Sequence, residues 1–186
     1  MRPRKLGVML VAVGLAGLIG STWAFAARPG IERPKAETWG SFVGAGTGST
    51  CTAPTLPGQT LNIVLSDMGG MIEGGHMLNI AASPSVVAAG KVSFEVLNAG
   101  MMIHELVVLP LPQGGVGTRA VGSNGRVSEA GSLGEASRSC GEGAGDGIAP
   151  GAASWVTLDL APGRYELICN LPGHYAMGMF TELDVR

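Results

Sequence analysis

Glycine and proline set the first limit on what this chain can fold into. It carries 31 Gly and 11 Pro among 186 residues, and so many permissive and helix-breaking positions exclude a helical bundle. Between these breaks the apolar residues alternate instead of recurring at helical spacing. In Lys91–Leu97, Val92, Phe94 and Val96 share one face while Lys91, Ser93 and Glu95 share the other, the period of a half-buried strand. Leu61, Ile63 and Leu65 alternate from Thr60 onward, and Leu78–Ala82 reads as a further short strand. His104–Leu109 is nearly apolar after Glu105, and Trp155–Leu160, Arg164–Cys169 and Phe180–Val185 complete the set. Short strands divided by turn signals, with no amphipathic helix and no internal repeat, predict an all-β sandwich or barrel. The length suits one such domain.

Charge narrows the function classes. Only 14% of residues are charged and the formal net charge is −2, which offers no basic surface to nucleic acid. An apolar share of 46% is too high for a disordered chain. At the N-terminus, Arg2, Arg4 and Lys5 precede the uncharged run Leu6–Ile19, and Ala24-Phe25-Ala26 fits a small-x-small cleavage site. Residues 1–26 therefore read as a signal peptide, or else as an uncleaved membrane anchor that tethers the protein. Either way the remainder is expected to be exported, periplasmic or extracellular. Cleavage after Ala26 would leave nine basic against 14 acidic residues, a charge of −5. That balance also disfavours an anionic membrane surface as partner. Residues 27–58 have the texture of a linker or irregular arm, and 59–186 that of the folded domain. Within it, Pro110–Gly151 shows little periodicity and repeated glycines, so a long excursion is expected, one that needs an anchor.

Export places three cysteines, Cys51, Cys140 and Cys169, in an oxidising compartment. An odd count leaves one thiol over. The segment Cys169-Asn-Leu-Pro-Gly-His174-Tyr-Ala-Met177-Gly-Met179 gathers a thiol, an imidazole and two thioethers between two strands. Such donors suit a copper ion that must be held as both Cu(I) and Cu(II), and a His₂Cys set with a weak axial Met needs one more histidine. His104 opens a strand directly after a turn and can face this loop. His76 lies in a Gly-rich stretch with no fixed direction. His104 is therefore selected. Singly, each residue has a blander reading: a surface histidine, a core cysteine, packing methionines. In combination and at this spacing, the blander readings lose.

Asn98-Ala-Gly-Met-Met-Ile-His104, Pro162-Gly-Arg-Tyr-Glu-Leu-Ile-Cys169-Asn-Leu-Pro-Gly-His174 and Gly178-Met179 together resemble the cupredoxins, the type 1 blue copper proteins. The Cys-x4-His-x4-Met spacing is most similar to the rusticyanin and sulfocyanin group. The resemblance implies a Greek-key β-sandwich of roughly eight strands, one type 1 copper held by His104, Cys169, His174 and Met179, and one-electron transfer. It implies a redox protein partner docking near the edge of His174, where Leu171, Pro172, Tyr175, Ala176 and Met101 or Met102 are expected to form an apolar rim. With Cys169 taken as ligand, Cys51 and Cys140 remain to pair as a disulfide anchoring the excursion. One departure stands out. Many family members follow the first histidine with Asn or Ser, and this chain has Glu105.

Two other functional classes bear on the same residues. Met68, Met71, His76 and Met77 could bind Cu(I), which would make the protein a copper carrier or sequestering protein. An enzyme is disfavoured, because four donors fill the coordination set and catalytic metal sites keep a position open. No Ser-His-Asp order, phosphate loop or HExxH helix is present, and His104-Glu105 lacks a second histidine at zincin spacing.

Overall fold

The structure, a computed structural model, describes residues 51–67 and 77–186. The leader or anchor at 1–26, most of the arm, and Met68, Met71 and His76 of the Met/His-rich stretch lie outside the described residues.

Among the described residues, ten strands make two five-stranded sheets. The first has the order β2 (Asn79–Ser83), β1 (Gln59–Ser66), β4 (Gly90–Asn98), β8 (Ala153–Leu160) and β7 (Gly141–Glu142). The second runs β3 (Val86–Val87), β10 (Phe180–Val185), β9 (Gly163–Ile168), β5 (Leu106–Pro110) and β6 (Gly134–Ala136). Both sheets are mixed: β1 runs parallel to β4, β7 to β8 and β3 to β10, and the other pairs are antiparallel. All seven strands expected from alternation are present. The two-residue strands β3 and β7 and the three-residue β6 are too short to show a period.

The register explains the core. Leu61 lies opposite Phe94 and Ile63 opposite Val96, while Phe94 faces Val156 on the other side. This inward face meets Leu106, Val108, Leu167 and Leu183 of the second sheet in one buried cluster. Ser93 belongs to the outward set, yet it is buried. Residues 51–58 cover it: its hydroxyl donates to the Pro57 carbonyl at 2.5 Å and lies 2.8 Å from the Thr157 hydroxyl. The chain then reverses into β1 at Gly58, whose φ is +80° and where a Cβ would stand 2.2 Å from the Lys91 carbonyl oxygen.

β5 is apolar on both faces because both are covered. Leu106 and Val108 enter the main core, while Val107 and Leu109 join Val127, Ile168 and Tyr175 in a second cluster. The excursion between β5 and β8 supplies that outer cover. It is pinned by Glu166, fully buried on β9, whose carboxylate accepts from Arg119 Nε at 2.5 Å, from Gly117 N–H at 2.7 Å and from the Tyr175 hydroxyl at 3.0 Å. Removing one member of a buried pair strands the other charge, so this contact fixes the excursion's path.

The Cys51–Cys140 disulfide is present, with Cα atoms 5.3 Å apart and a sequence separation of 89. It joins the arm to the excursion beside Ala153 of β8. Replacing both cysteines by alanine is expected to lower the unfolding free energy by about 4–5 kcal/mol on chain-entropy reasoning. Denaturant melts of oxidised wild type and variant, both metal-free, check this; coincident melts would contradict it.

Candidate metal centre

Two chain segments converge at one end of the sandwich. The first ends β4, turns, and enters β5 through His104. Buried Asn98 closes that turn: its amide donates to the carbonyls of Met102 and Ile148, each at 2.7 Å, and its oxygen accepts from Gly100 N–H at 2.9 Å. The His104 backbone pairs in both directions with Ile148 of the excursion, at 3.2 and 2.7 Å. The second segment leaves β9 at Cys169 and returns as β10. Its turn is tied by bonds from Met177 N–H to the Gly173 and His174 carbonyls, from Gly178 N–H to Tyr175 and from Met179 N–H to His174.

These backbones bring His104, Cys169 and His174 together. All three are buried, and one donor atom from each lies within 4.8 Å of the others. Cys169 Sγ is 3.3 Å from His174 Nδ1 and 4.0 Å from His104 Nδ1, and the two Nδ1 atoms are 3.2 Å apart. Burial holds both imidazoles below the usual histidine range, which favours the neutral ring and its lone pair. Burial also pushes the Cys169 thiol up to about 12, against the pull of N–H bonds from Leu171 and Glu105. A cation among these donors reverses that balance and favours the thiolate.

Met179 is fully buried and its carbonyl accepts from Cys169 N–H at 3.0 Å, whereas Met177 is 36% exposed. The donor set fits copper. Two imidazoles and one thiol stand close together in a dry site, with a buried thioether on the neighbouring backbone. His104, Cys169, His174 and Met179 are thus positioned as a type 1 copper site.

Glu105 proves compatible with this arrangement. Its N–H donates to Cys169 Sγ at 3.4 Å, and its carboxylate lies beside Arg126, which donates to the Asn170 carbonyl. The residue therefore ties the first ligand segment to the second. Burial raises its carboxyl to about 7, opposed by Arg126, whose Nη1 lies 3.6 Å from Oε1.

The sequence reading missed how far the excursion takes part. The Asn170 amide accepts from Val127 N–H at 2.8 Å and donates to the Val127 carbonyl at 3.1 Å. Gly173 N–H donates to the Gly125 carbonyl at 2.8 Å, and Arg126 Nη1 to the Asn170 carbonyl at 2.8 Å. Gly125 has φ +75°, and a Cβ there would meet Gly173 N at 3.0 Å. The only sequence signal for this strap was the glycine count itself. Asp67 was also missed: its Oδ2 lies 3.5 Å from His104 Nε2.

The expected apolar rim is corrected at one residue. Tyr175 is 2% exposed and points into the second cluster, with its hydroxyl bonded to Glu166 and Arg119. Burial pushes that hydroxyl up to about 12. Pro172, Ala176, Met101 and Met102 are exposed, and Leu171 is partly so.

A model of the plastocyanin/azurin family of copper-binding proteins matches residues 67–186. The chain belongs to that family, whose type 1 copper sites carry single electrons. Among solved structures, auracyanin B is 22% identical, with 75% of this chain and 96% of that one covered and a TM-score of 0.47. Dithionite-reduced auracyanin from the photosynthetic bacterium Roseiflexus castenholzii is 19% identical, with 69% and 99% covered and a TM-score of 0.43. Rusticyanin from Thiobacillus ferrooxidans is 17% identical, with 74% and 86% covered and a TM-score of 0.45. No curated protein matches the chain.

Proposed function

We propose that this protein is an exported, non-catalytic electron carrier. In this reading His104, Cys169 and His174 ligate one copper through Nδ1, Sγ and Nδ1, with Met179 as the weak axial ligand. The observation that carries the proposal is the buried triad with donor atoms within 4.8 Å of one another. When bound, copper supplies a one-electron Cu(I)/Cu(II) couple. The protein's part is to hold its donors in nearly the same place for both oxidation states. His104 is held by a strand bridge and Cys169 and His174 by a strapped loop, so neither ligand segment is free to relax. N–H groups of Glu105 and Leu171 directed at the sulfur withdraw charge from it and raise the potential.

Electrons are proposed to pass through the edge of His174 to a redox protein. Met101, Met102 and Ile103 immediately before His104, and Pro172, Ala176 and Met177 beside His174, are exposed. Grouped exposed apolar side chains favour brief contact with another protein. Four filled ligand positions leave none for a substrate, which supports carriage over catalysis. The leader at 1–26 and arm at 27–58 would place domain 59–186 outside the cytoplasm, periplasmic or extracellular, free or tethered.

Copper titration separates this reading from a carrier or sequestering role. One tight equivalent is expected; additional Cu(I) equivalents lost on substitution of Met71 and His76 would favour the carrier. Axial ligation is checked by the reduction potential. Met179→Leu is expected to shift it strongly and Met177→Leu to leave it near the wild-type value, and the reverse pattern would move the axial role to Met177.

A further inference from the structure

The ring of His104 has a second nitrogen, and its surroundings are unusual. Nε2 is fully buried and has no hydrogen-bond partner among the described residues. It faces Asp67, the residue that follows β1, whose side chain is only 5% exposed. Asp67 Oδ2 lies 3.5 Å from Nε2 and accepts from the N–H groups of Met101 at 2.7 Å and Met102 at 2.5 Å. The other oxygen, Oδ1, is buried without a partner among the described residues. The turn is fitted to this carboxylate, since a Cβ on Gly100 would stand 2.8 Å from Oδ2. A buried ring nitrogen without a partner thus faces a carboxylate whose Oδ2 lies 3.5 Å away, on the far side of the ligand ring.

We propose that Asp67 is a positioning residue for the metal centre: its carboxylate takes the Nε2–H of His104 and thereby keeps the lone pair on Nδ1, facing Cys169 and His174. A neutral imidazole carries one N–H, and the partner of one nitrogen decides which nitrogen is free. An acceptor at Nε2 selects the tautomer that can bind metal through Nδ1. The surroundings suit the carboxylate form: the N–H groups of Met101 and Met102 both donate to Oδ2. Its charge stands one imidazole away from copper and favours Cu(II) over Cu(I), opposing the effect of the N–H groups at Cys169. The two influences enter through different ligands and can be altered separately.

The inference rests on His104 being a ligand, and the test separates the two. In metal-free wild type, long-range ¹H–¹⁵N correlation of the His104 ring is expected to show the Nε2–H tautomer. Finding Nδ1–H there would overturn the proposal without any variant or copper. Asp67→Asn can keep an oxygen for Met101 and Met102 while turning an N–H toward Nε2. It is expected to move His104 toward the Nδ1–H form, to weaken Cu(II) binding by about tenfold or more, and to weaken Cu(I) binding less, so that the potential rises. A variant with the wild-type tautomer and an unchanged ratio of Cu(II) to Cu(I) affinity would overturn it, whatever its thermal stability. His104→Ala tests the ligand role alone, through loss of copper affinity.

Discussion

A thiol 3.3 Å from one buried imidazole and 4.0 Å from another is an arrangement that a chain does not reach by hydrophobic packing. Three groups with lone pairs face a common point, and each gave up hydration to be there. Folding must supply the force that holds them, and the surrounding structure does so through backbone. His104 is paired on both its N–H and its C=O with Ile148, and Cys169 N–H is bonded to the Met179 carbonyl. The N–H of Glu105 reaches the sulfur from the opposite segment. Fixed dipoles and rigid ligand backbones suit a centre that must change charge while changing shape little.

The excursion between β5 and β8 gives this end of the sandwich its stiffness. It contacts the His104 segment through Ile148 and the Cys169–His174 segment through Gly125, Arg126 and Val127. Two of its distant attachments are the Cys51–Cys140 disulfide and the ion pair of Arg119 with buried Glu166. Tyr175 links the pair to the site, because it follows His174 in the chain and places its hydroxyl on Glu166. What looks in composition like a loose glycine-rich loop is thus a strap over the ligand loop. Glycine serves it where the strap and loop backbones come within reach of each other, as at Gly125.

How much of this could be read in the amino acids depended on whether the controlling interaction was local. The alternation in Lys91–Leu97 marked β4 because its inward face alone is apolar throughout, and the Cys169–Met179 spacing was legible because three donors share one loop. His104 required a choice between two histidines, made on its place at a strand start. The other features are long-range. Ser93 is buried by an arm some 36 residues away in sequence, and Tyr175 turns inward to meet Glu166 and Arg119. Nothing near Asp67 in the sequence marks it as a neighbour of His104. Glu105 stands where the resembling family has Asn or Ser, yet its N–H still reaches the Cys169 sulfur and links the two ligand segments. A residue type can change while the hydrogen-bonding task is kept.

The visible absorption of the oxidised, copper-loaded protein tests the central claim most directly, because intense colour requires a thiolate bound to Cu(II). Strong absorption in wild type that vanishes in Cys169→Ser is the expected result. A colourless wild type, or colour that survives Cys169→Ser, would contradict a copper–thiolate centre at this site.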